Sequence, residues 1–304
     1  MEKEKNALTK GLSKKDVSSR VWEIDFLRCI PIFLVMLYHL CYDFSLIPTL
    51  CSNYDANIAN YKNFGLFIKF CNNLFYGKDM YNIWVPFFAG IFLFLCGVST
   101  SFSRNNIRRG LLLWLGAGVV TLATYLYSLI SKDEETIVWG ILQLMAFTIT
   151  FYALIELFAR KVLHKEPSIL VPFLLAFATL YLGYLFTYIV QVGGGYWPLN
   201  FFRPVNTVKD KFTSIFSIAI GKTIADPDWW PILPYSGVIF LGIGMGRVVY
   251  GKEKKSIVPK LYHSFLKPFC FIGRHTIWFY LGHQVVFIPV LTLVCYCMGF
   301  QLSL

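Results

Sequence analysis

Apolar residues gather in long runs along this chain, separated by short polar stretches that are rich in Lys and Arg. Seven runs reach the ~20 residues that a helix needs to cross a bilayer. They predict spans near 24–47, 84–103, 107–130, 137–159, 168–190, 232–250 and 274–298. Two further apolar stretches are too short to cross. "NFGLFIKFCNNLFYG" (Asn63–Gly77) has aromatics at helical spacing beside Lys69, and "KFTSIFSIAIGKTI" (Lys211–Ile224) resembles it in length. Both read as re-entrant or interfacial helices. No internal repeat is evident. The expectation is an all-α polytopic membrane protein, with a basic cytoplasmic tail over 1–20 and one transmembrane domain over 21–304.

The polar stretches alternate in charge. Lys3, Lys5, Lys10, Lys14, Lys15 and Arg20 precede the first span. Arg104, Arg108 and Arg109 follow the second, and Arg160, Lys161 and Lys165 follow the fourth. Arg247, Lys252, Lys254, Lys255, Lys260 and Lys267 follow the sixth. Basic loops stay in the cytoplasm, so this alternation predicts an N-terminus inside and a C-terminus outside. The acidic "SKDEET" connection and the segment from Gln191 to Pro231 then face outward.

Composition sharpens this picture. The 304 residues are 56% hydrophobic, 18% aromatic and only 15% charged, well outside the soluble range. The first twenty residues are polar and basic, and no small-residue cleavage pattern follows, so no cleavable signal peptide is expected. The net charge of +11 sits in a few short loops. It therefore points to topology and lipid headgroups rather than to nucleic acid. The eight cysteines lack any CxxC pair, and Cys295–Cys297 alone is a weak metal signal, so no metal is expected. Whether Cys51 pairs with Cys71 stays open.

The first span carries the chemistry. "RVWEIDFLRCIPIFLVMLYHLCYDF" (Arg20–Phe44) holds Asp25, Arg28, His39 and Asp43. Arg28 and His39 are eleven residues apart, close to three helical turns at ~3.6 residues each, so they share a face. Asp25 and Asp43 are eighteen apart, about five turns. One polar stripe thus runs down the helix. Each such charge costs ~2.5–3.5 kcal/mol at mid-span, so the stripe must face protein or a wet cavity. Asp25–Arg28 fits an ordinary end-of-helix pair. His39 and Asp43, at i,i+4, fit either a general base with its orienting carboxylate or a buried structural pair.

This opening helix resembles that of the transmembrane acyltransferases related to heparan-α-glucosaminide N-acetyltransferase. Their bacterial members read E-I-D-x-x-R-G, then apolar residues, then H-x-x-x-D. The spacing from Arg28 to His39 is also similar to that of the membrane O-acyltransferases of bacterial surface sugars. "VPFFAGIFLFLCGVSTSFS" (Val85–Ser103) resembles the family's second helix, and "WGILQLMAFT" (Trp139–Thr148) its G-x-L-Q segment. "DWWPILPYSGVIFLGIGMGR" (Asp228–Arg247) and "IGRHTIWFYLGHQ" (Ile272–Gln284) resemble its later helices. The likeness covers nearly the whole chain, and the order of the motifs carries it. Cys29 and Pro31 depart from the usual small residues. The lysosomal enzyme has Asn where His39 stands, so the role of His39 follows from the bacterial pattern.

The resemblance implies an acetyltransferase of the bacterial cytoplasmic membrane. It would move an acetyl or short acyl group from cytosolic acetyl-CoA to an amino sugar or sugar hydroxyl of a glycan. His39 would be base or transient acyl carrier, with Asp43 orienting it. Arg28 and Arg274 would hold the donor's phosphates, or anchor the inner face. On the outer side Asp228 and Trp229 would bind the acceptor, or belong to an aromatic belt. The GGG loop (Gln191–Pro198) fits a lid or a plain turn. Gln143, His283 and Gln284 are further intramembrane polar groups, with His283 fitting a helix–helix hydrogen bond. Gly242, Gly244 and Gly246 fit close helix packing better than a phosphate loop, since no strand precedes them. Membrane lipids, acyl-CoA and the glycan are the expected partners, and a homodimer is left open. The competing classes are a proton-coupled transporter with His39–Asp43 as relay, against which the missing repeat counts, and a non-catalytic scaffold.

Overall fold

The computed structural model describes residues 21–77, 83–131, 136–190, 215–220, 228–251 and 255–301. The basic tail, the Gln191–Pro198 loop and most of the acidic connection lie outside them. Among the described residues every regular element is helical: α1 (Trp22–Leu50), α2 (Tyr54–Ile58), α3 (Lys62–Phe75), α4 (Val85–Phe102), α5 (Asn106–Ser131), α6 (Ile141–Lys161), α7 (Leu170–Val190), α8 (Ile215–Ile220), α9 (Ile232–Tyr250), α10 (Lys267–Arg274) and α11 (Thr276–Cys297). Two short 3-10 turns precede α10.

Each predicted span is a helix. Six of them (α1, α4, α5, α6, α9 and α11) are long and apolar enough to cross a membrane. In α7 the apolar stretch Leu170–Leu185 is shorter, so the seventh crossing rests on the rest of that helix. Of the two short apolar stretches, the first is α3 and the second contains α8. The seventh expected span starts two residues late, at Thr276, because the chain breaks at His275 between α10 and α11.

The helices begin where local chemistry permits. Pro86 sits in the first turn of α4, where a missing N–H costs nothing. The Gln143 side chain accepts from the Gly140 N–H at 3.0 Å and closes the start of α6. Inside the spans, hydroxyls return to their own helix: Ser99 to Leu95 O, Thr100 to Cys96 O and Thr148 to Leu144 O, all at 2.7–2.9 Å. A polar atom in hydrocarbon needs such a partner.

The main core lies between α4, α5, α6, α7 and α9, where Leu93, Leu144, Ile149, Tyr152, Ile239 and Ile243 are fully buried. The glycines of α9 are packing residues. A Cβ on Gly242 would collide with the Phe94 carbonyl, and one on Gly246 would crowd Ser101. α10 sits on α1 just as closely, for a Cβ on Gly273 would overlap the Asp25 carbonyl. α11 then runs beside α1, and this seam holds the His39–Asp43 half of the polar stripe.

All eight cysteines are free thiols. Cys51 and Cys71 do not meet: Cys51 lies beside Cys295, and Cys71 beside Cys41.

Candidate active site

His39 and His283 face each other across the α1–α11 seam. The His39 Nδ1 and His283 Nε2 atoms are 2.6 Å apart, and the rings stack with centroids 4.8 Å apart. The other nitrogen of His283, Nδ1, lies 2.6 Å from the backbone carbonyl of Tyr280. A carbonyl only accepts, so His283 carries its proton on Nδ1 and presents a lone pair at Nε2. His39 must then donate through Nδ1, which leaves its own Nε2 with a lone pair. A chain of contacts from Tyr280 thus leaves His39 as a base whose free nitrogen is fixed. His283 is 5% exposed, while His39 is half-buried.

The spacing in the sequence suggested Asp43 as the partner of His39. The structure gives that place to His283. Asp43, one turn along α1, instead accepts from Gln284 Nε2 at 3.4 Å. Helical i,i+4 neighbours lie on one face, but side chains on that face reach outward to the adjoining helix. Here α11 offers His283 and Gln284 in matching register.

Tyr280 has a second contact, with its hydroxyl 3.2 Å from Asp228 Oδ2. Asp228 also accepts from Trp230 Nε1 at 2.7 Å and from the Ile141 N–H, at the start of α6, at 3.3 Å. Its carboxylate ties α6 and α11 to the segment that leads into α9. Burial holds its pKa above the usual range, although all three donors pull it down. Trp229 donates to Ile218 O at 3.0 Å and packs with Val138, Trp139 and Ala219. Both residues expected at the acceptor are therefore engaged within the chain. Gln143 is 4% exposed and donates to Thr121 Oγ1 at 3.1 Å, joining α6 to α5.

A group of cations occupies the other end of α1. Arg274 pairs with Asp25 at 3.5 Å. Arg109, on α5, donates to the Cys96 carbonyl at 3.3 Å. Arg28 lies within electrostatic reach of Arg109, Cys96 and Asp25, and makes no hydrogen bond or ion pair with the described residues. Two guanidiniums gathered at one spot, one of them uncommitted, suit a phosphate. Arg109 was readable in the sequence only as a topology marker, and Tyr280 only as one of many aromatics.

A family model described as heparan-alpha-glucosaminide N-acetyltransferase, catalytic, matches residues 67–285. The match takes in Arg109, Gln143, Asp228, Arg274, Tyr280 and His283, and it starts after α1. No curated protein and no solved structure matches the chain.

Proposed function

We propose, from the premise that the chain belongs to the heparan-alpha-glucosaminide N-acetyltransferase catalytic family, that this integral membrane acyltransferase moves an acetyl group from acetyl-CoA to an amino sugar or sugar hydroxyl across the membrane. The observation that carries the reading is the His39 nitrogen left free by the Tyr280–His283 chain.

Donor and acceptor would approach from opposite ends of α1. Arg28 and Arg109, with Arg274 beside them, suit the phosphates of coenzyme A at the end near the basic loops. His39 lies eleven residues further along, about 16 Å at ~1.5 Å per residue, roughly the reach of an extended pantetheine arm. There His39 Nε2 takes a proton from the acceptor nucleophile as it attacks the thioester carbonyl. The carbon–sulfur bond breaks, and the coenzyme A thiolate leaves and is protonated. His283 keeps His39 in one tautomer throughout and spreads the imidazolium charge. The same free nitrogen suits transient acylation.

The test is acetyl transfer by purified protein from labelled acetyl-CoA to a panel of amino sugars and neutral sugars. Transfer is expected for the native chain, with a loss of about 10²–10⁴-fold in His39→Ala. A monodisperse His39→Ala protein with native-like activity would overturn the mechanism.

A further inference from the structure

The end of α1 away from the basic loops holds two pairs of cysteines that the acyl-transfer reading does not use. Cys41 lies beside Cys71 of α3, and Cys51, at the end of α1, lies beside Cys295 of α11. All four are buried. The sequence left a Cys51–Cys71 pairing open, and the bundle replaces it with these two.

Neighbouring contacts hold each pair in register. α3 runs back along α1, with Phe75 stacked on Tyr38 at 4.6 Å on one side of Cys71 and Phe67 edge-on to Phe44 at 4.9 Å on the other. Cys41 and Cys71 meet between these two ring contacts. The second pair sits beside a polar clasp. The Ser52 N–H donates to the Gln301 carbonyl at 2.9 Å, Asn53 Nδ2 to the Gly299 carbonyl at 2.9 Å and Asn57 Nδ2 to the Met298 carbonyl at 2.8 Å. Ile47 and Phe300 share one buried cluster with both thiols. Cys51 stands twelve residues beyond His39, and Cys295 twelve beyond His283. That is about 18 Å along each axis at ~1.5 Å per residue. α1 and α11 therefore keep one register from the paired histidines to the paired thiols.

The other buried thiols stand elsewhere. Cys29, Cys96 and Cys270 lie toward the basic loops, the side that a cell keeps reducing. There Cys96 Sγ accepts from Arg109 at 3.6 Å, and Cys270 is near Asp25 and Arg274.

We infer that Cys41–Cys71 and Cys51–Cys295 are oxidised to two disulfides on the side of the membrane away from the basic loops, pinning α3 and α11 to α1. The oxidant is the disulfide of an exported thiol–disulfide oxidoreductase. One cysteine of a pair, as thiolate, attacks a sulfur of that disulfide, whose S–S bond breaks and releases one thiolate. The second cysteine thiolate attacks the mixed disulfide, the new S–S bond forms, and the other oxidoreductase thiolate leaves. The two cysteine protons end on the two oxidoreductase thiols, so each pair loses two electrons and the oxidant gains them. Because the folded thiols are buried, the exchange precedes closure of the bundle, which then shields both bonds from reductant. The inference rests on the outward placement of this end and is independent of acyl transfer.

The test uses the full-length native chain, extracted from membranes with N-ethylmaleimide present and then unfolded in SDS. Cys41, Cys51, Cys71 and Cys295 are expected to resist the maleimide until a phosphine reductant is added, whereas Cys29, Cys96 and Cys270 react as soon as the chain unfolds. Peptide mapping without reduction should find Cys41 linked to Cys71 and Cys51 linked to Cys295. Reduction should lower the thermal midpoint in detergent by about 5 °C or more, a shift that disappears in the Cys51→Ser/Cys71→Ser variant. If that variant does not fold, the labelling of the native chain decides alone. Either pair reacting without reduction overturns the disulfide assigned to it. All buried thiols reacting alike, or a Cys51–Cys71 link, overturns the inference as a whole.

Discussion

The Arg247 guanidinium sits 2.7 Å from the Glu156 carboxylate, between α9 and α6, with side chains only 19% and 12% exposed. Arg247 also lies over the Tyr152 ring and reaches the Pro167 carbonyl, while Asn106 holds the other oxygen of Glu156. Removing one partner strands the other in a buried site. Arg247→Met is therefore expected to destabilise the fold by about 3–5 kcal/mol. The double variant Arg247→Met/Glu156→Leu should recover part of that loss. Thermal midpoints in detergent test this, and a double variant as weak as the single one would argue against it.

His283 is expected to act through His39. His283→Leu should lower kcat strongly while the dissociation constant for coenzyme A stays put. His283→Gln keeps an oxygen that can accept from His39 Nδ1, so it should retain more activity than Leu. Nitrogen NMR of labelled histidine should find the bare nitrogen of His39 at Nε2 in the native chain. Equal activity in the two variants, or a proton on Nε2, would remove the tautomer argument.

Donor binding is expected to depend on the arginines around Cys96. Arg28→Ala should weaken coenzyme A binding in calorimetry, and Arg109→Ala should do so too. Each loss should be smaller for dephospho-coenzyme A, which lacks one of the anionic groups. Unchanged binding in both variants would make the pair purely structural.

Asp228 gives a pH dependence. Burial raises its pKa from 3.8, so the folded chain holds this proton to higher pH than the unfolded chain does. That contribution to stability is complete below the unfolded value and disappears as pH rises through the folded one. The thermal midpoint should therefore fall as pH climbs from about 4. Asp228→Asn should flatten that part of the curve, and equal slopes in both proteins would rule the effect out.

The basic loops set a topology that reporters can read. A fusion after Lys254 is expected in the cytoplasm and one after Leu304 outside. Finding both on one side of the membrane would refute the seven-span arrangement.

The helices were legible because crossing a bilayer demands long apolar runs, which a single sequence displays openly. The break at His275 was not, because "IGRHTIWFY" continues an apolar pattern, and the close approach of Gly273 to α1 beside it is a tertiary contact that no local pattern displays. The partner of His39 was hidden for a different reason. Spacing reveals neighbours on one helix, and so it pointed to Asp43. The contact with His283 joins positions 244 residues apart, and no local pattern encodes it. Asp228 shows the converse case. Its place beside two tryptophans suggested a sugar site, while two of its three internal donors, the Ile141 N–H and the Tyr280 hydroxyl, appear only when α6 and α11 are assembled around it.

The His39–His283 contact also imposes an order on the protein's manufacture. α1 leaves the ribosome early and enters the bilayer with its histidine and aspartate unanswered, a costly state for an intramembrane helix. Its counterpart on α11 emerges only after α4, α5, α6, α7 and α9 have been made. A chain that stalls before Gly282 would hold the arginines and nearly the whole bundle, yet its histidine would lack a fixed tautomer and its aspartate a neighbour. Under the proposed mechanism such incomplete products would be idle, and insertion of α11 would complete both contacts at once.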